Sequence, residues 1–176
     1  PLSGPPNQQV QLNPALVAGG DVDFLQIAPD GTRVVYSADQ GTLGLEELYS
    51  VPVAGPSTQF VKLNGPMAAG GPGVSPAQVR IAPDSSRVVY MATQDSAARY
   101  DIYSVPLAGP AAAGERLNEA LPVGAGYTLF HISADSRSVL FFGAETVVAN
   151  GLFHIRPADG TSSELHLGCA APAEGA

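Results

Sequence analysis

Three groups of side chains in this 176-residue chain have types and spacings that could do chemistry. The first is a recurring acid–base pair: Asp30 with Arg33, Asp84 with Arg87, and Asp135 with Arg137. Convergent carboxylates and guanidiniums would make a ring of acid–base groups. A pair installed once per repeat is better read as a turn-forming aspartate with an arginine alongside it on the hairpin. The second group is a calcium question. A D-x-D-x-D-G loop sets alternate carboxylates around one hard cation. In the loop that begins at Asp39 the next two positions of that pattern are Gly41 and Leu43, so only Asp39 survives, with Glu46 and Glu47 farther on. The corresponding loops hold Asp95 and Asp101, and then Glu145. A solvated acidic loop is the default and Ca²⁺ the alternative. The third group is His131, His154, His166 and the single cysteine, Cys169. These are transition-metal ligand types, but C-x₂-C or H-x₃-H spacing is missing. His154 and His166 would lie on neighbouring strands, with His131 about two strands away, roughly 4.8 Å per strand.

Other chemistries leave no mark. The sequence has no G-x-S-x-G elbow, no P-loop and no G-x-G-x-x-G; GGPG at 70–73 lacks the following helix and lysine and reads as a connector. One lysine and seven arginines stand against sixteen acids, for a formal charge of −8. Nucleic-acid binding needs a basic stripe, so it is disfavoured. No apolar run of about 18 residues exists to span a membrane. A lone cysteine forms no internal disulfide, and Cys169 reads as an inert residue near a tail or as a link to a partner or lipid.

The elements that carry these residues repeat. LQIAPDGTRVVYSADQGTLGLEELYSVPVA at 25–54 and VRIAPDSSRVVYMATQDSAARYDIYSVPLA at 79–108 align without a gap, sharing IAPD, RVVY and YSVP. FHISADSRSVLFFGAETVVANGLFHIRPAD at 130–159 is a third, more divergent copy. Each copy ends on a short segment: VKLN at 61–64, RLN at 116–118 and ELHL at 164–167. VQLN at 10–13 is such an ending with no beginning. Within a copy there are four strand-like runs rich in Val, Ile and Tyr. They fall at 22–27, 32–37, 47–53 and 59–64, then at 78–81, 87–92, 101–107 and 115–118, and finally at 128–132, 138–143, 151–156 and 164–167. The turn APDG at 28–31 separates the first two. Pro52 and Pro106 belong where a third strand ends or bulges. Four short strands recurring at about 50 residues predict an all-β chain of β-propeller blades, each a four-stranded antiparallel sheet.

IAPDGTRVVYSADQ followed by ELYSVPVAG resembles the TolB-like, PD-type propeller repeat, a relative of the WD repeat. The resemblance spans 22–167, is most specific at 25–55 and 79–109, and weakens at 130–160, where Ala134, Ser136 and Phe153 replace the signature Pro, Gly and Tyr. It implies that the first strand lines a central channel, which makes the aligned Gln26, Arg80 and His131 candidate channel or interaction residues. It also implies a non-catalytic binding or scaffolding module in the cell envelope or outside the cell, with protein as partner. The alternatives are the substrate-gating propeller portion of a larger hydrolase or peptidase, and a sugar- or metal-binding propeller. No cofactor is expected.

The predicted organisation is an arm at 1–9, a last strand of a preceding or partner blade at 10–14, blades at 22–64, 78–118 and 127–167, and a tail at 168–176. Closed propellers hold four to eight blades. Three blades and an extra strand predict a partial propeller that is continued in a longer chain, closed by further copies in a ring, or left as an arc capped by its termini. The connectors 65–77 and 119–127 are loop sites where partner contacts would sit. The chain opens on Pro1 without a methionine, consistent with a removed leader, tag or domain.

Overall fold

A computed structural model describes residues 9–119, 126–146 and 149–155, with 144–146 and 149–155 as backbone. The arm, the segment 164–167 with His166, and the tail with Cys169 lie outside the described residues.

Eleven strands form three antiparallel sheets among the described residues. Blade 1 is β1 (Val22–Ile27), β2 (Arg33–Ala38), β3 (Glu47–Pro52) and β4 (Val61–Lys62), paired in chain order. Blade 2 repeats that order with β5 (Val74–Ile81), β6 (Arg87–Ala92), β7 (Asp101–Pro106) and β8 (Glu115–Arg116). Blade 3 shows β9 (Gly126–Ile132), β10 (Val139–Thr146) and β11 (Ala149–Ile155), with β10 central. The registers superpose: Tyr36 faces Tyr49, Tyr90 faces Tyr103, and Phe141 faces Phe153. The fold is a partial β-propeller.

Two differences from the expected strands have local causes. The fourth strands shrink to two residues because Pro56 and Pro110 open short 3₁₀ turns, Ser57–Gln59 and Ala111–Ala113, before them. β5 begins four residues early because Val74 pairs with Ala92 across a bulge and Gly73 bridges to Glu46 of blade 1. Residues 10–14, expected as the last strand of a preceding or partner blade, pair with no strand among the described residues. Pro52 and Pro106 are the last residues of β3 and β7, as their missing N–H requires.

RVVY is apolar throughout because both of its faces are buried. In β6, Val88, Tyr90 and Ala92 pack toward blade 1 with Val35, Leu48 and Leu63. Val89 and Met91, pointing the other way, pack with Phe130, Val139 and Phe141 of blade 3. Neighbouring first strands touch, β1 with β5 and β5 with β9, so they form the inner side of the arc.

Candidate functional site

The recurring aspartates hold turns. Asp30 Oδ1 accepts from the Thr32 N–H and hydroxyl, both at 2.9 Å, and Asp84 Oδ1 does the same with Ser86 at 3.0 and 2.6 Å. Asp135 Oδ1 takes the Arg137 N–H at 3.1 Å and the Ser133 hydroxyl at 2.5 Å. These hydrogen bonds hold all three carboxyls below the usual carboxylate range. Arg33 reaches across to β3, where Nε donates to Ser50 Oγ at 2.7 Å, and Arg87 does the same to Ser104 at 2.6 Å on β7. The arginine alongside each of these turns in blades 1 and 2 thus ties the second strand to the third. Arg137 changes place: its N–H does the work of the Thr32 N–H, and Ser138 stands where Arg33 does. The serine of YSVP was the readable signal, because Ser138 and His154 replace Arg and Ser together in the third copy.

Asp39 is a loop residue. One carboxylate oxygen accepts from the Asp21 N–H at 2.5 Å and the other from the Gly44 N–H at 3.0 Å, which lowers its pKa. Among the described residues no three His, Cys, Asp or Glu side chains converge on a metal position. His131 and His154 are both register partners of Leu140, so the two outer strands of blade 3 carry them in one row, two strands apart. Gln26, Arg80 and His131 occupy one register position, opposite Val35, Val89 and Leu140. Arg80 turns onto the backbone oxygens of Ala77 and Val79, while His131 is exposed. Beside the blade 1–blade 2 junction, the Glu46 carboxyl and the Ser37 hydroxyl are buried together. Burial, with a smaller push from Asp23 and Asp39, raises the Glu46 carboxyl to about 7. A groove of about 710 Å³ lies between the outer parts of blades 1 and 2, lined by Lys62, Tyr90, Asp95, Tyr103 and Arg116. Its polar groups hold one another: Tyr103 and Arg116 bond Asp95, Tyr90 bonds Gln94, and Lys62 pairs with Glu47.

The unsatisfied surfaces are at the two ends of the arc. Leu25, Val79 and Phe130 occupy the same register position, opposite Tyr36, Tyr90 and Phe141. Val79 is 0% exposed and Phe130 1%, but Leu25 is 68% exposed, and Ile27 beside it 57%. On the far side of blade 3, Leu129 and Phe142 are register partners and each 39% exposed, with Leu140 half-buried. The outer part of blade 1's bare side is covered by the chain itself: Leu12, Leu16 and Phe60 pack on Val34, Tyr36, Tyr49 and Val51. The segment sits as 61–71 sits on blade 2. A Cβ at Gly55 would meet Val10 Cγ1 at 3.0 Å, and one at Gly109 would meet Val61 Cγ1 at 2.6 Å. The Gly20 N–H donates to Val17 O as the Gly71 N–H donates to Ala68 O.

The asparagine that closes each LN pair is legible in the sequence only as a strand end. Asn64 Oδ1 accepts from the Leu48 N–H at 2.7 Å, and Asn118 Oδ1 from the Ile102 N–H at 2.6 Å, both buried. Their amides donate to the next carbonyl, Gly65 O and Glu119 O. Asn13 has the same amide bond, to Pro14 O at 2.9 Å. Its Oδ1 meets no donor among the described residues.

No family model and no curated protein sequence matches the chain. Solved structures do. A prolyl endopeptidase matches with TM-score 0.57 at 13% identity, over 86% of this chain and 22% of that one. Oligopeptidase B from Leishmania major matches with TM-score 0.57 at 15% identity, over 84% and 19%. A TolB from Agrobacterium tumefaciens matches with TM-score 0.50 at 16% identity, over 80% and 48%. The chain thus spans about a fifth of the peptidases and about half of the TolB. At these identities the likeness is one of fold, and the fold is that of a TolB-like propeller, present in part.

Proposed function

We propose that the chain is a non-catalytic protein-interaction or scaffold module, a run of propeller blades finished by further blades or another subunit, acting in the cell envelope or outside the cell. The observation that carries this reading is the contrast between Val79 and Phe130, sealed between blades, and Leu25, Ile27, Leu129 and Phe142, left bare at the ends. Exposed apolar faces of this kind mark protein contact sites. The location rests on the TolB-like resemblance. The recurring aspartates and arginines hold turns and strands. The test is turnover: the chain incubated with fluorogenic peptide and ester substrates gives no hydrolysis above the blank. Hydrolysis abolished by a single substitution among its own residues would reverse the reading.

The matches to prolyl endopeptidase and oligopeptidase B favour a second reading, the substrate-gating portion of a larger peptidase. A Ser-His-Asp hydrolase domain in the same reading frame decides for it. A sugar- or metal-binding propeller is checked by thermal shift with Ca²⁺, Zn²⁺ and glycans.

A further inference from the structure

Asn13 stands as the asparagine that closes a blade's last strand, with no third strand of such a blade beside it among the described residues. Its backbone neighbours, its amide hydrogen bond and the seating of Val10 on Gly55 all reproduce Asn64 and Val61 on Gly109. The difference is at Oδ1, which in Asn64 and Asn118 holds the N–H of the third strand of its own blade. Blade 3 offers the matching donor position. Leu152 occupies in β11 the register position of Leu48 and Ile102, since their partners Phe142, Ser37 and Met91 correspond. The segment that would follow as its fourth strand, ELHLG at 164–168, carries no asparagine to take the Leu152 N–H.

The two bare faces answer each other in the same way. Leu129, Leu140 and Phe142 stand in blade 3 where Phe24, Val35 and Ser37 stand in blade 1, the side that meets blade 2. Leu25 and Ile27 stand where Val79 and Ile81 receive that side. The far face of blade 3 therefore has the positions, and an apolar set of residues, to pack on the near face of blade 1.

We infer that the partner at these ends is a second copy of this chain. Blade 3 of one copy packs on blade 1 of the other, and residues 10–13 of the second add as the outer strand along β11 of the first, with Asn13 Oδ1 accepting from Leu152 N–H. The contact repeated by two-fold symmetry closes a ring of six blades, within the range in which propellers close. This rests on the reading of the chain as an interaction module and names its partner.

The test uses the full chain. Light scattering after size exclusion gives twice the chain mass at micromolar concentration. Leu25→Glu and Phe142→Glu, both at exposed positions, give folded monomers, and Asn13→Ala weakens dimerisation about tenfold by leaving a strand N–H unpaired. Register is read by cross-linking. Val61 is the Cα partner of Ser50, so Val10 should be that of His154, the residue at the Ser50 position. A Val10→Cys chain mixed with a His154→Cys chain, both carrying Cys169→Ser, forms an intermolecular disulfide. A monomer at every concentration overturns the inference, as does a dimer indifferent to Leu25→Glu and Asn13→Ala, or a dimer in which the two cysteines fail to link. A monomer inert in the turnover assay sinks only the second copy. A hydrolytically active chain sinks the module reading whatever its mass.

Discussion

Leu25 and Val79 hold one position in two successive blades, on strands of nearly the same sequence, and only Val79 is sealed from water. What differs is the neighbour. Val79 packs against Val35, Leu48 and Leu63 of the blade before it, whereas among the described residues Leu12 and Leu16 cover only the second and third strands of blade 1 and Leu25 stays exposed. The sheet is the same object in both places. The energy that holds it comes from the junction, which is the sense in which repeat folds are sums of neighbour contacts.

That contrast can be broken by substitution. Phe130→Ala should cost about 3–5 kcal/mol by removing an aromatic side chain sealed at the blade 2–blade 3 junction, while Leu25→Ala should change stability by less than about 0.5 kcal/mol in the isolated protomer. Urea titration of both variants reads the difference, and equal losses would mean the ends are as sealed as the interior. Asn64→Ala strips a buried strand N–H of its acceptor and should cost about 1–3 kcal/mol, whereas Asn13→Ala should leave the protomer's urea midpoint nearly unmoved.

The Glu46 carboxyl sharpens the comparison by pH. Its folded pKa, about 7, lies above the ordinary value of 4.5, so the folded state holds a proton that the unfolded state releases between those values. The Glu46 contribution is thus greatest below about pH 4.5 and is lost as pH rises toward 7. The urea midpoint of the parent should fall between pH 5 and 8 by more than that of Glu46→Gln. A difference of the opposite sign would mean that Glu46 is ionised in the folded junction. The smallest effect belongs to the turns. Ser85 sits at φ 60° with its hydroxyl accepting from the Asp30 N–H at 3.0 Å. Ser85→Ala keeps the strained backbone and loses the bond, at about 1 kcal/mol. Ser85→Gly loses the bond but relaxes the backbone, and should come out near neutral in the same titration.

Most of the architecture was readable from the sequence because a propeller writes itself repeatedly: IAPD, RVVY and YSVP fixed turn, central strand and third strand, and their registers agree in the structure. The fourth strands are shorter than their sequence predicts because Gly-Pro and the 3₁₀ turn after it look like any other turn. The site was less legible. Asp30 and Arg33 are close in sequence yet serve different partners, and the arginine's partner, Ser50, lies 17 residues away across a strand pair. Asn13 matches Asn64 in sequence, but its open acceptor is visible only once its neighbours are placed.

The turns also link blade to blade. The Asp30 N–H donates forward to Ser85, and the Asp84 N–H forward to Ser136. At the matching place in blade 1 stands Gly31, which has no hydroxyl, and a Cβ built there would meet nothing within 4 Å. The arc therefore has a direction, each blade giving to the next and receiving from the last, and its first blade is built to give without receiving. Any junction made onto blade 1 lacks that latch, so under force or dilution an assembly containing this chain should part there before it parts between its own blades.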